Sequence, residues 1–144
     1  MTKTTGGLSG LCLGVLALGV CGSAAQTRSV WDGVYTSEQA ARGAVVYERV
    51  CAECHGPDLG GGDMAPSLAG VEFLYSWHGL TAGDLLERLR VSMPPGQPTS
   101  VGRQEKADIL AWVFEVNGFP AGDTELATRP AALAGISVLA EQPD

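Results

Sequence analysis

Cys51-Ala52-Glu53-Cys54-His55 decides how this chain is read. The run has the form C-x-x-C-H, the attachment pattern for c-type haem. Two thiols add across the two vinyl groups of one haem, and two intervening residues let both sulfurs reach the same porphyrin edge. The histidine follows directly, so its imidazole can take one axial position on the iron. Three other readings compete for these residues. A thioredoxin-like redox dithiol needs a βαβ setting, and no strand-rich pattern surrounds the motif. A structural zinc site needs four ligands. The pool for it is Cys51, Cys54, His55 and His78, and the adjacent Cys54 and His55 are poorly placed to share one tetrahedral ion. A plain disulfide suits an exported protein but leaves the histidine unexplained. Haem accounts for all three residues, and with no second C-x-x-C-H the expectation is one haem.

Upstream of the motif the N-terminus reads as an export signal. Lys3 gives a positive start, residues 11–20 form an apolar core, and Ser23-Ala24-Ala25 is a small-residue cleavage site. The apolar run is too short to span a bilayer. A minor alternative is a lipoprotein with Cys21 lipidated, but Val20 is a poor residue before such a cysteine. The predicted organisation is a signal peptide over 1–25, an N-terminal extension over 26–35, a haem domain over 36–118 and a tail over 119–144 that covers the domain. Cleavage removes Cys12 and Cys21 and leaves Cys51 and Cys54 as the lone thiol pair. The expected compartment is the periplasm, with no stable membrane insertion.

The chain has sixteen Asp and Glu against nine Lys and Arg, a formal charge of −7 that becomes −8 once Lys3 is removed. Haem propionates would add further negative charge. Nucleic acid and anionic membranes are therefore poor partners. A redox partner with a basic patch is compatible with this balance, but net charge does not locate a docking face.

Helical signals flank the motif on both sides. Thr36-Ser37-Glu38-Gln39 has the T-x-x-Q form of a capping box, with Gln39 expected to reach back to Thr36. Ala40, Gly43, Ala44, Tyr47 and Val50 recur at helical spacing, which predicts a helix over 37–50 that leads into the haem motif. Gly56-Pro57-Asp58-Leu59-Gly60-Gly61-Gly62-Asp63 excludes regular structure and predicts a loop against the haem. Thr81 and Asp84 cap a second helix, which must stop before Met93 because Pro94 and Pro95 forbid its continuation. A third helix is predicted over about 103–117, with Gly102 at its cap, Glu105 three residues on and Asn117-Gly118 at its end. Its broad apolar stripe implies burial on more than one side. Beyond Phe119, Pro and Gly break up any long element, with a short helical turn over 130–134. The fold class is therefore all-α, with three main short helices packed around one covalently attached haem.

An electron carrier needs both axial sites filled. The candidates for the second are Met64, Met93 and His78. Met93 is preferred: a helix has just ended, two prolines stiffen the chain, and thirty-eight residues separate it from His55. Met64 is only nine residues from His55. His78 would give bis-histidine ligation and is read instead as a loop residue. Trp77 is a candidate for donating its indole N–H to a haem propionate, with ordinary packing as the alternative.

Gly43, Tyr47, Cys51, Cys54 and His55 together resemble the N-terminal helix and haem motif of the class I cytochrome c family. Ala107-Asp108-Ile109-Leu110-Ala111-Trp112-Val113 resembles that family's C-terminal helix, and Pro66-Ser67-Leu68-Ala69-Gly70 its P-x-L-x-G loop. The resemblance covers about residues 36–118. It implies the cytochrome c fold and haem attachment after export. It implies a glycine at Gly43 that permits close helix crossing, with Ile109 and Trp112 meeting Gly43 and Tyr47. It further implies contact between Val113 and the haem, and a Pro66 carbonyl that accepts a hydrogen bond from the iron-ligating histidine. Trp112 stands where that family usually has tyrosine or phenylalanine. Residues 30–36 and 117–122 resemble segments of bacterial cytochromes that accompany, or are fused to, quinoprotein alcohol dehydrogenases. This implies such a dehydrogenase as electron donor, with an oxidase or another cytochrome as acceptor.

The leading expectation is thus a single-haem carrier of one electron at a time, not an enzyme. Cys51 and Cys54 tether the haem, and His55 and Met93 ligate the iron. A gas-binding protein with a displaceable sixth ligand, a peroxidase and a cytochrome subunit of a larger dehydrogenase are the alternatives. A peroxidase would need an acid–base residue over the iron, and only His78 is available for it.

Overall fold

In the computed structural model, residues 1–2 and 28–143 are described; the expected signal peptide and the candidate lipidation site at Cys21 lie outside the described residues. Thr36 starts the first long helix, α1 (Ser37–Val50), by accepting the Gln39 N–H on Oγ1 at 3.2 Å. The reciprocal half of the expected capping box is absent. Gln39 is fully buried, and its side-chain amide pairs with the Leu126 backbone instead, donating to the Leu126 carbonyl at 3.2 Å and accepting its N–H at 2.7 Å. A buried amide must satisfy both donor and acceptor, and one backbone residue offers both at once.

The chain continues through Cys51 into a single turn, α2 (Ala52–His55), with the His55 N–H bonded to the Cys51 carbonyl at 3.0 Å. After the 56–69 loop comes α3 (Gly70–Trp77), a helix not anticipated from the sequence. It buries Phe73 and partly covers Leu74 and Trp77. Its first residue is a glycine with φ +77°, so the usual start signals are missing. The next helix, α4 (Ala82–Ser92), has the full capping box: Thr81 Oγ1 accepts from the Asp84 N–H at 3.1 Å and Asp84 accepts from the Thr81 N–H at 2.8 Å. It ends at Met93, as the two following prolines require. A 3₁₀ turn (Pro98–Ser100) precedes α5 (Arg103–Val116), where Glu105 accepts from the Gly102 N–H at 2.8 Å.

The fold is all-α, as expected, with α1, α4 and α5 as its longer helices. Helix α5 buries residues on more than one side, from Lys106 and Ala107 through Val113 and Phe114. It crosses α1 so closely that a Cβ on Gly43 would lie 1.9 Å from the Asp108 carbonyl oxygen. Only glycine permits this crossing. Arg42 anchors it from outside, donating to Asp108 at 3.1 and 3.2 Å and to Glu125 at 2.7 Å.

After α5 the chain meets α1, through Glu125 and Leu126 on Arg42 and Gln39, and then α4. The Tyr35 hydroxyl donates to the Phe119 carbonyl at 2.6 Å, and the Gly122 N–H donates to the Tyr35 carbonyl at 2.7 Å. Burial, with the Glu115 charge adding to it, pushes the Tyr35 phenol up to about 12. A second 3₁₀ turn (Pro130–Leu133) lies over α4. Strand β1 (Arg28–Ser29) then pairs in parallel with β2 (Ile136–Ser137), and the Val138 N–H donates to the Leu80 carbonyl at 2.8 Å.

Candidate functional site

Helices α2 to α5 and the loops 56–69 and 93–101 enclose a largely apolar cavity of about 380 Å³. Cys51, Cys54 and His55 line it at the junction of α1 and α2, because the C-x-x-C-H run is wound into one helical turn. Leu68, Phe73, Leu85, Leu89, Ile109 and Leu110 supply aliphatic and aromatic wall. Cys51, Cys54, His55, Pro66, Trp77, Met93 and Val113, the residues preferred from the sequence, all lie on this lining. Val113 is buried, Met93 is partly buried, and Trp77 lies at the end of α3 with its ring 6.4 Å from that of Phe73. Met64 also lines the cavity, although it is 72 % exposed. His78 does not line it: it is exposed, and its Nδ1 accepts from the Ala140 N–H at 3.1 Å.

His55 is 8 % exposed, and its Nδ1 is 2.8 Å from the Pro66 carbonyl oxygen. A carbonyl only accepts, so Nδ1 carries a proton, and the neutral ring then keeps its free lone pair on Nε2. That is the tautomer a metal-binding imidazole needs, and the carbonyl fixes the ring's orientation. The loop that carries Pro66 is closely braced. The Gly61 N–H donates to the His55 carbonyl at 2.8 Å, Gly62 to Ala65 at 2.9 Å, and Leu68 to Leu59 at 2.8 Å. Gly61 has φ +75°, and a Cβ there would meet the Ser67 nitrogen at 2.5 Å, so a side chain would displace the segment next to Pro66.

Two residues that sequence reasoning missed hold the loops around the cavity. Asn117, read as a helix stop, donates from Nδ2 to the Leu68 carbonyl at 2.9 Å and accepts the Gly70 N–H at 3.0 Å. It ties the end of α5 to the Pro66 loop. Lys106 is 5 % exposed and lines the cavity. Its Nζ donates to the carbonyls of Leu89, Arg90 and Pro98 at 2.9, 3.2 and 2.6 Å. Burial, and then the nearby Arg90 charge, lower its pKa from the usual lysine range. The visible clue was a cation at helical spacing with Leu110 and Val113, on an otherwise apolar face.

The cysteines are free and half-buried. Burial, with Cys54 beside it, pushes the Cys51 thiol up to about 11. A redox-active C-x-x-C needs the reverse, a thiol whose pKa is lowered. The zinc reading fails on placement, since His78 is not brought to the cysteines. The lining does fit a haem: apolar walls, two thiols one turn apart, an imidazole with one nitrogen committed, and a partly buried thioether. These features define a c-type cytochrome.

The family comparison agrees. Residues 38–113, more than half of the chain, match the family described as cytochrome c oxidase, cbb3-type, subunit III, and the chain belongs to this family of class I c-type cytochromes. Its cofactor is covalently bound haem c, and Cys51 and Cys54 fit the attachment motif. Among solved structures, the chain is similar to the sulfane dehydrogenase SoxCD from Paracoccus pantotrophus, with 21 % identity, a TM-score of 0.47, and coverage of 90 % of this chain and 68 % of that one. No curated protein matches. Among the described residues, no helix is long and apolar enough to cross a membrane.

Proposed function

We propose that this protein is a periplasmic carrier that passes one electron at a time between redox proteins, with His55 and Met93 as the axial ligands of its haem iron. When bound, the haem supplies a one-electron Fe(III)/Fe(II) couple. The observation that carries the reading is the 2.8 Å contact between His55 Nδ1 and the Pro66 carbonyl, which leaves Nε2 as the ligating nitrogen. Cys51 and Cys54 tether the group, and Val113 and Trp77 pack beside it. Met93 supports the reading by its place on the same lining and its partial burial, whereas Met64 on that lining is 72 % exposed and poorly sheltered from water. A methionine ligand paired with histidine raises the reduction potential relative to two histidines.

The flanks at 30–36 and 117–122 support a quinoprotein dehydrogenase as donor. The matched family is described as an oxidase subunit, which supports an oxidase or another cytochrome as acceptor. Encounters with such partners are expected to be small and transient. Haem domain, extension and tail are proposed to act as one unit over 26–144, since β1 and β2 join the two flanks.

The test is the visible spectrum of the purified protein, oxidised and reduced, before and after carbon monoxide. A reduced spectrum unchanged by the gas supports a carrier with both axial sites filled. Rapid binding of the gas overturns stable Met93 ligation and moves the gas-binding reading ahead.

A further inference from the structure

Segment 91–97, which carries Met93, Pro94 and Pro95, is stapled at both ends by one side chain. Lys106 reaches from α5 to the Leu89 and Arg90 carbonyls before the segment and to the Pro98 carbonyl after it, at 2.9, 3.2 and 2.6 Å. An ammonium has three donors, and here each has an acceptor. Leu89 and Arg90 lie in the last turn of α4, where the helix dipole is negative; the Arg90 carbonyl has no helical donor because residue 94 is a proline, and the Leu89 carbonyl also accepts the Met93 N–H. Prolines 94, 95 and 98 contribute no N–H groups, so the segment has few backbone donors with which to hold itself. Beyond helix α4 its backbone bonds are short-range ones, Met93 to Leu89 at 3.2 Å, Gln97 to Pro94 at 3.1 Å and Ser100 to Gln97 at 3.0 Å.

A buried cation without a carboxylate partner is costly, and an apolar side chain of similar length would fill the same space at no such cost. The ammonium is tolerated here because three carbonyls replace its water. Those carbonyls belong to the two stems of one loop, so removing the ammonium removes the hydrogen bonds through which one side chain joins them.

We propose that Lys106 is the positioning residue for Met93: by joining both stems of the 91–97 segment, it keeps the thioether at the iron and slows its exchange for other ligands. This deepens the function proposed above and rests on Met93 as axial ligand.

The experiment uses the haem-loaded protein with Lys106→Met, which keeps the length and removes the donors. Lys106→Gln, which keeps a shorter polar donor, is measured in parallel, as is Met93→Ala. Two readouts are taken: the rate at which added imidazole displaces the thioether from the oxidised iron, followed by the red sulfur-to-iron(III) absorption band, and amide hydrogen exchange at Met93, Gly96 and Gln97. The expected result is displacement at least tenfold faster in Lys106→Met, an intermediate rate in Lys106→Gln, and faster exchange confined to these three amides. Unchanged displacement in a folded Lys106→Met overturns the proposal. So does exchange that accelerates equally in α1 and α5, which marks a merely structural role. If Lys106→Met does not fold, Lys106→Gln decides on the same two readouts. A sulfur band that persists in Met93→Ala refutes the ligand assignment itself, and exchange at the three amides then still reports whether Lys106 holds the segment.

Discussion

Two loops border the haem cavity, and they are braced in opposite ways. Residues 56–70 are held by bonds spread along their length: Gly61 to His55, Gly62 to Ala65, Leu68 to Leu59, and Asn117 to Leu68 and Gly70. The Tyr47 hydroxyl adds a bond to the Gly56 carbonyl at 2.6 Å. Residues 91–97 are joined at their stems by one buried ammonium, which bonds the Leu89 and Arg90 carbonyls before the segment and the Pro98 carbonyl after it. Redundant bonding makes local opening costly, whereas a segment with few partners opens at lower free energy. Ligand exchange in this cytochrome is therefore expected on the Met93 side, while the His55 side stays closed.

Two glycines of almost equal conformation offer the sharpest way to break this comparison. Gly61 and Gly96 have φ of +75° and +76°. An added Cβ meets backbone at 2.5 Å at Gly61 and nothing within 4 Å at Gly96. Gly61→Ala is expected to be the most destabilising change, by about 3 kcal/mol, since left-handed strain adds to overpacking. It should also shift the Pro66 carbonyl from His55. Urea unfolding and the oxidised haem spectrum report both effects.

Asn117→Ala comes next, at about 2 kcal/mol for hydrogen bonds lost at the Leu68 carbonyl and the Gly70 N–H. Hydrogen exchange should rise over 66–70 and stay unchanged over 93–97. A rise in both loops would mean that the two are not independently braced. Gly96→Ala should cost only about 1 kcal/mol, from backbone strain alone, as measured by the same urea titration. A loss as large as that of Gly61→Ala would remove the distinction drawn between the loops.

Outside both loops, Tyr35 supplies the smallest effect and a control. Its phenol is raised from 10.0 to about 12 by burial and then by the Glu115 charge. The unfolded chain therefore loses this proton first, so stability is intact below pH 10 and falls as pH rises toward 12. Tyr35→Phe should flatten that part of the urea-midpoint profile, at the cost of the bond to Phe119. Imidazole displacement at the iron should not change with it.

Much of the helical frame was legible because its determinants are local. Thr81 with Asp84, Gly102 with Glu105, and the Met93-Pro94-Pro95 break each act within a few residues, and each marks a helix end where the sequence put it. The haem motif was legible for the same reason. What was missed acts across the chain. Gln39 fits a local capping pattern, yet its amide is taken by Leu126, 87 residues away. Asn117 looked like a helix stop because its bonds to Leu68 and Gly70 span distances that no sequence window contains. Helix α3 was hidden behind a glycine at its first position. Lys106 could have been found, since a lysine on the apolar face of a helix must either reach water or meet acceptors.

The central claim is that Met93, and not Met64, completes the iron's coordination. The most direct measurement is the one-dimensional proton NMR spectrum of the reduced protein, wild type beside Met93→Ala and Met64→Ala. A thioether on low-spin Fe(II) sits under the porphyrin ring current, which shifts its methyl resonance far upfield. The account predicts a methyl signal of this kind in the wild type, retained in Met64→Ala and lost in Met93→Ala. Loss of the signal in Met64→Ala with retention in Met93→Ala, or no upfield methyl in the wild type, would contradict it.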